Sequence, residues 1–285
     1  MIKKIKYFIE AIFIYTFFGI AKLIGLTLGR KLFSFLFNVF GPAIRSNKII
    51  LKNLEIFSNN ISNIQKKEIV KSVWSNYGMT FVEYIFLKKF KNKNSHIEIL
   101  GTEILEDVVK ENKPVIFVSG HFSNFELMSM ELTKKNIKLA TIYRPLNNFF
   151  LNPLMEYLRK KYICKNQIKK GINGVKSAIE FIKNGHSIAM MIDQRVSEGE
   201  KIRFFNKEAY TTTLPAQLIL KYNLKVIPIF IERDKKNKFI MKVFKPMIFS
   251  KDRDKLFITI ELNKVLENMI LKNPNQWIWT HNRWK

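Results

Sequence analysis

A chain of 285 residues can bury a sizeable core, and 47% hydrophobic residues with only 8 Pro and 11 Gly exclude a disordered or fibrous chain. Its 49 Lys and Arg against 23 Asp and Glu leave +26, which points to an anionic partner: nucleic acid, an anionic leaflet or a phosphorylated substrate. Part of that excess can equally be solvated surface. A lone cysteine, Cys164, excludes an internal disulfide framework, and with four histidines no zinc-like spacing occurs, so neither metal nor cofactor is expected.

The first forty residues differ from the rest. Ala11 to Leu28 reads AIFIYTFFGIAKLIGLTL, apolar except for Lys22, and as one helix would run about 27 Å, just short of a bilayer core. Gly29-Arg30-Lys31 does not resemble a signal cleavage site, so the segment is expected to be retained. Lys3, Lys4 and Lys6 before it and Arg30 and Lys31 after it cancel any orientation signal, so a transmembrane span and an in-plane anchor both fit. A buried core helix is the plainer alternative. Residues 1–40 are thus expected to form a membrane anchor and residues 41–285 one folded domain.

From Gln65 to Phe90 apolar residues recur at helical spacing (Ile69, Val73, Tyr77, Phe81, Ile85), which predicts an amphipathic helix. Beyond it short apolar runs alternate with helical stretches. PVIFVS, IKLATIY, SIAMMI, KVIPIFI and FIMKVF read as strands. NFELMSMELTKK, Asn148 to Lys161, GVKSAIEFIKNG, LPAQLILKYN and Asp252 to Leu271 read as helices. That alternation predicts an α/β fold with a mixed, mostly parallel sheet flanked by helices, preceded by the N-terminal membrane-associated helix.

In open α/β sheets reactive groups gather beyond the carboxyl ends of strands. Two such places stand out: Gly120-His121-Phe122-Ser123-Asn124-Phe125-Glu126 after VIFVS, and Asp193-Gln194-Arg195 after SIAMMI. His121 is placed to take a proton from a bound hydroxyl, and Glu126, five residues on, can turn back to fix its tautomer. Ser123-Asn124-Phe125-Glu126 also satisfies a capping box, so the same carboxylate can simply close a helix N-terminus. No Ser or Cys sits in a G-x-S-x-G elbow, which favours direct acyl transfer over an acyl-enzyme, and Cys164 reads as a packed thiol.

Gly120-His121 through Glu126 resembles the H-x4-D/E motif of the glycerolipid acyltransferase superfamily, and the wider pattern resembles its lipid A biosynthesis branch, the lauroyl/myristoyl acyltransferases. TIYRPLNNFFLN resembles that branch's second block, whose arginine is Arg144 here. MMIDQRVSEGEKIRFF and TTTLPAQLILKYNLKVIPIF resemble the third and fourth, RSNKIILKNLEIFSNNIS the early basic helix, and QWIWTHNRWK the ending. Phe204-Phe205-Asn206 stands where Phe-Phe-Gly is usual, and Arg203 where a proline is often found.

The resemblance implies an O-acyltransferase with a glycerolipid-acyltransferase-like catalytic domain over residues 41–285, at the bacterial inner membrane with its active site facing the cytoplasm. Its donor would be an acyl carrier protein thioester and its acceptor a phosphorylated glycolipid, a Kdo-lipid A precursor. His121 would be the general base with Glu126 as partner; Arg144, Asn147, Asp193 and Gln194 would bind substrate. Asp193 keeps a second reading as a buried strand-end carboxylate with a structural partner. Trp277, Trp279 and Trp284 would sit at the membrane interface or pack against the sheet. Acyl transfer to lysophosphatidic acid is the neighbouring alternative, although its F-P-E-G-T-R type block is absent. A basic nucleic-acid-binding protein is the alternative from another class, and no helix-turn-helix, zinc finger or RNP motif supports it, so no nucleic-acid partner is expected.

Overall fold

The computed structural model describes residues 2–58 and 60–285. Helices α1 (Ile2–Ile44), α2 (Asn47–Phe57), α3 (Asn63–Glu83) and α4 (Leu87–Asn92) come first. The α/β part follows: β1 (Ile97–Leu100), α5 (Thr102–Glu111), β2 (Ile116–Ser119), α6 (Glu126–Lys134), β3 (Leu139–Tyr143) and α7 (Asn152–Leu158), whose last turn widens to a π-helix over Arg159–Ile163. Then come β4 (Asn166–Lys169), α8 (Ile172–Lys183), β5 (Ser187–Met191), the hairpin β6 (Glu200–Phe204) and β7 (Lys207–Thr211), α9 (Leu214–Tyr222), β8 (Val226–Arg233), β9 (Phe239–Val243) and α10 (Lys255–Lys272).

Seven strands build one sheet in the order β1-β9-β8-β2-β5-β3-β4, with β6 and β7 apart as an antiparallel ribbon. From β8 to β4 every pair is parallel; β9 turns antiparallel to β8, and β1 lies parallel to β9. The expected mixed, mostly parallel sheet is present. β2 and most of β5 are buried on both faces, which is why both read as unbroken apolar runs. The edge strands β1 and β4 are only partly buried, too weakly patterned to stand out in the sequence.

The expected long apolar N-terminal helix is present, but it is bent. Gly25 takes φ 83° and ψ 171°, a conformation that glycine adopts without steric cost and that breaks the helix. The arms on either side, residues 2–24 and 26–44, fold back as a V. Phe17 of one meets Phe33 of the other edge-on at 6.0 Å, and Gly29 lies beside Ala21. A straight span over Ala11 to Leu28 is therefore absent, because its vertex falls inside that stretch. The second arm packs on α3 where both backbones come close: a Cβ on Gly78 would stand 2.2 Å from the carbonyl oxygen of Phe33, and one on Gly41 would enter the Trp74 ring. The first arm keeps to the protein along its length. Asn148 donates to the Tyr7 carbonyl, the Tyr15 hydroxyl donates to the Phe150 carbonyl, Phe18 stacks near Phe81, and Lys22 lies over Phe86. Its other face leaves Ile5, Phe13, Ile20 and Leu23 exposed.

Glu83 ties these layers together. Buried at the end of α3, it accepts Nε of Arg30 at 2.6 Å, both Nη atoms of Arg233 at 2.5 and 3.1 Å, and the amide of Asn124 at 2.8 Å. Burial pushes its pKa up, but Arg233 and Arg30 outweigh that and hold the carboxyl below its usual range. One carboxylate thus pins α1, α3, β8 and the turn after β2.

Candidate active site

Register alone assembles the centre of the site. β2 and β5 are parallel neighbours with Ser119 opposite Met191, and the Ile192 N–H still donates to the Ser119 carbonyl at 2.9 Å. One step further the chain leaves the sheet at His121 and Asp193, side by side. Nδ1 of His121 lies 2.7 Å from Oδ1 of Asp193, while Oδ2 accepts the His121 backbone N–H at 2.7 Å and the Trp277 indole N–H at 2.8 Å. Asp193 is fully buried. Burial pushes its pKa up, and the charge of His121 with these hydrogen bonds brings it below the ordinary aspartate value. Gly120 is required by closeness: a Cβ there would stand 2.7 Å from the Phe122 ring and 3.2 Å from Oδ2 of Asp193.

The carboxylate bonded to His121 is therefore Asp193, and Glu126 is engaged elsewhere. Oε1 of Glu126 takes Nε and Nη2 of Arg159, at 2.8 and 2.5 Å, together with the Tyr84 hydroxyl. The reason is helical geometry: Glu126 opens α6 and faces the π turn after α7. Burial and the neighbouring Glu126 push the Tyr84 hydroxyl far above its ordinary pKa, so it remains a donor. The capping box is not formed either. Ser123 sits in the left-handed region at φ 46°, its buried hydroxyl has no partner among the described residues, and α6 begins after Phe125 with no side-chain cap from them. Its backbone is held instead, the N–H donating to the Gln276 carbonyl and the carbonyl accepting from Thr80 and Asn76.

A cavity of about 660 Å³ opens above the pair. His121, Glu126, Arg144, Asn147 and Gln194 all line it, so five predicted residues converge; Asp193 lies beneath the floor as the support of His121. Since Nδ1 is engaged, Nε2 is the atom of His121 left for a ligand, and Phe125 steadies the ring edge-on at 4.5 Å. The lining mixes two chemistries. Trp74, Met128, Ile142, Met190 and Leu214 contribute apolar surface, and Arg45, Arg144, Arg159 and Lys170 contribute cations, Arg159 being paired with Glu126. Burial and the nearby Arg144 depress the pKa of Lys170, and Glu198 offsets part of that.

The C-terminal segment lies beneath the site. Trp277, Trp279 and Trp284 are 1%, 0% and 5% exposed, so they pack in the core and do not reach a membrane interface. Trp284 donates to the Phe204 carbonyl, and Arg283, wholly buried, donates to the Tyr210 carbonyl and the Thr211 hydroxyl. Burial lowers the pKa of Arg283 to about 10. Asn53 of α2 donates to the carbonyls of Trp279 and His281. Local spacing could not announce Tyr84, Arg159 or the tryptophan bound to Asp193, because each partner lies dozens of residues away. The departure at Asn206 falls in the turn of the β6–β7 ribbon, where the preceding Phe205 takes φ 52°, its N–H held by Glu267 and its ring packed on Phe57.

The family described as bacterial lipid A biosynthesis acyltransferase matches residues 1–285. The chain is 23% identical over 248 residues to a lipid A biosynthesis lauroyltransferase of Escherichia coli K12, covering 85% of this chain and 79% of that protein. It is 23% identical over 247 residues to a palmitoleoyltransferase of the same organism, covering 85% and 79%. To its lipid A biosynthesis myristoyltransferase it is 22% identical over 241 residues, covering 82% and 73%.

Proposed function

The chain belongs to the bacterial lipid A biosynthesis acyltransferase family, and from that premise we propose that it moves a fatty acyl chain from an acyl carrier protein thioester to a hydroxyl of a Kdo-bearing lipid A precursor. The observation that carries the mechanism is the His121–Asp193 pair on the floor of a cavity lined by both apolar side chains and cations. Nε2 of His121 takes the proton of the acceptor hydroxyl as that oxygen attacks the thioester carbonyl. Asp193 keeps the other ring proton on Nδ1 and stabilises the imidazolium. The tetrahedral intermediate collapses with cleavage of the carbon–sulfur bond, and the proton passes from His121 to the departing thiolate. No enzyme nucleophile is needed.

The cations supply the acceptor's anchorage. Arg144, with Lys170 and Arg45, binds its phosphate or carboxylate groups by charge-assisted hydrogen bonds, and Asn147 and Gln194 complete the polar rim. Glu126 acts through Arg159, holding the guanidinium at the cavity wall. The apolar wall takes the acyl chain.

The protein works at the inner membrane from the cytoplasmic side. α1 is long and apolar enough to cross a bilayer, but its first arm lies against the domain from Tyr7 to Lys22, which favours an arm lying in the interface. Its exposed Ile5, Phe13 and Leu23 would enter the lipid, and Lys3, Lys4 and Lys6 suit an anionic surface.

The test is acyl transfer by detergent-solubilised protein, offering the Kdo-lipid A precursor and lysophosphatidic acid side by side, with His121→Ala as control. Product on the lipid A precursor that disappears in the variant is expected. Product on lysophosphatidic acid alone would move the acceptor to the sister branch, and full turnover by His121→Ala would remove the base.

A further inference from the structure

A second histidine shares the cavity. His281 lines it beside Thr280 and Gln194, and its ring feels both Asp193 and His121 electrostatically. Its backbone is fixed on both sides: the N–H donates to the Ile278 carbonyl at 3.1 Å, and the carbonyl accepts from Asn53 at 2.7 Å. The side chain is fixed too, because Nε2 accepts the backbone N–H of Arg195 at 2.9 Å.

A ring nitrogen that accepts a hydrogen bond carries no proton, so the proton of neutral His281 resides on Nδ1. Burial makes the cation unfavourable, and the ring stays neutral down to about pH 4. Among the described residues no protein group takes up Nδ1, and that atom is not sealed in the core. The cavity therefore holds two imidazoles with opposite assignments. His121 receives Nδ1–H from the demand of a carboxylate and offers a bare Nε2. His281 offers Nδ1–H and has its Nε2 stopped by a backbone amide.

We propose that His281 is a catalytic hydrogen-bond donor, its neutral Nδ1–H directed at the carbonyl oxygen of the thioester. The reading rests on the acyl transfer assigned to the site above. As the acceptor oxygen adds, the carbonyl π electrons move onto that oxygen, and a preset neutral donor stabilises the growing charge without surrendering its proton. A cationic donor in this position would repel the imidazolium forming on His121, which is a physical reason for keeping His281 neutral. The Arg195 amide supplies that bias, so Arg195 acts as a positioning residue through its backbone alone.

The discriminating experiment compares His281→Ala with His281→Gln in steady-state acyl transfer, with His121→Ala alongside. Glutamine can place its oxygen against the Arg195 N–H and its NH2 toward the cavity, reproducing the neutral histidine's donor and acceptor. His281→Ala is expected to lose roughly 100-fold in kcat, with KM for both substrates moved less than about threefold. His281→Gln is expected to recover to within about tenfold of wild type. In the folded wild-type protein, 15N NMR is expected to show His281 protonated on Nδ1 across pH 5 to 8. His281→Ala at full kcat would overturn the proposal, as would His281→Gln no better than alanine at unchanged thermal stability, or a proton found on Nε2. An inactive His121→Ala beside an unimpaired His281→Ala would sink this inference alone; a fully active His121→Ala would sink the reaction reading itself.

Discussion

Asp193→Asn against Glu126→Gln separates the two carboxylates that a histidine at this position could use. Asp193 receives three donors: Nδ1–H of His121, the His121 backbone N–H and the Trp277 indole. An asparagine can satisfy the last two with its oxygen, which turns its NH2 toward Nδ1 and drives the ring proton to Nε2. The base is then blocked in the wrong tautomer, a change that costs about 10⁴-fold in kcat where the same logic operates, roughly 5.5 kcal/mol of barrier. Stability should fall less, by about 1–3 kcal/mol, because two of the three hydrogen bonds survive. Glu126→Gln works the other way. Arg159, buried against Glu126 and Tyr84, would lose its counter-charge, costing about 3–5 kcal/mol of stability, while His121 keeps its partner and kcat falls less than about tenfold. The assay is thioester consumption at saturating donor and acceptor, with thermal unfolding of each variant in the same detergent. If folded Glu126→Gln is as slow as Asp193→Asn, or Asp193→Asn keeps more than a tenth of wild-type kcat, Asp193 is not the orienting carboxylate.

Further outcomes follow from individual contacts. His281 is neutral in the native state and titrates at about 4 there against 6.5 unfolded, so the unfolded chain binds the extra proton. Its contribution is complete above pH 6.5 and is lost as the pH falls toward 4, with a slope near 1.4 kcal/mol per pH unit and a total of about 3 kcal/mol. Chemical denaturation across that range should show one fewer proton taken up by His281→Gln. Gly78→Ala forces a methyl against the Phe33 carbonyl, 2.2 Å away; a loss of about 1–3 kcal/mol and several degrees of Tm is expected, with the α1–α3 seam the first site of limited proteolysis. An unchanged Tm would mean that the arms do not pack so closely. Trp277→Phe removes a donor from Asp193 and should raise the acid limb of the kcat profile; an unmoved limb would show that the indole bond does not stabilise the carboxylate.

The strands that form the middle of the sheet were legible because burial on both faces demands uninterrupted apolar side chains, as in IFVS and SIAMM. β1, β4 and the β6–β7 ribbon carry weaker patterns, since edges and ribbons are half solvated. That His121 and Asp193 lie just beyond strand ends was legible from the apolar runs before them. The bond between them was not, because it depends on β5 entering the sheet between β2 and β3, a matter of strand order that spacing along the chain does not carry. The same holds for Glu126, whose proximity to His121 in sequence was outweighed by Arg159, thirty-three residues on. Gly25 stood in plain view within the apolar stretch, yet a glycine in a helix is common and only its φ of 83° reveals the bend.

The site is stitched from distant parts of the chain. His121 meets Asp193 across 72 residues, Asp193 meets Trp277 across 84, and Asn53 holds the His281 carbonyl across 228. Such contacts close large loops and are late and cooperative in folding. No partly folded species can therefore hold the histidine, its carboxylate and the indole together. Turnover in a preparation is accordingly a count of native molecules, and the fraction of active enzyme after refolding measures long-range closure directly, with no spectroscopic probe required.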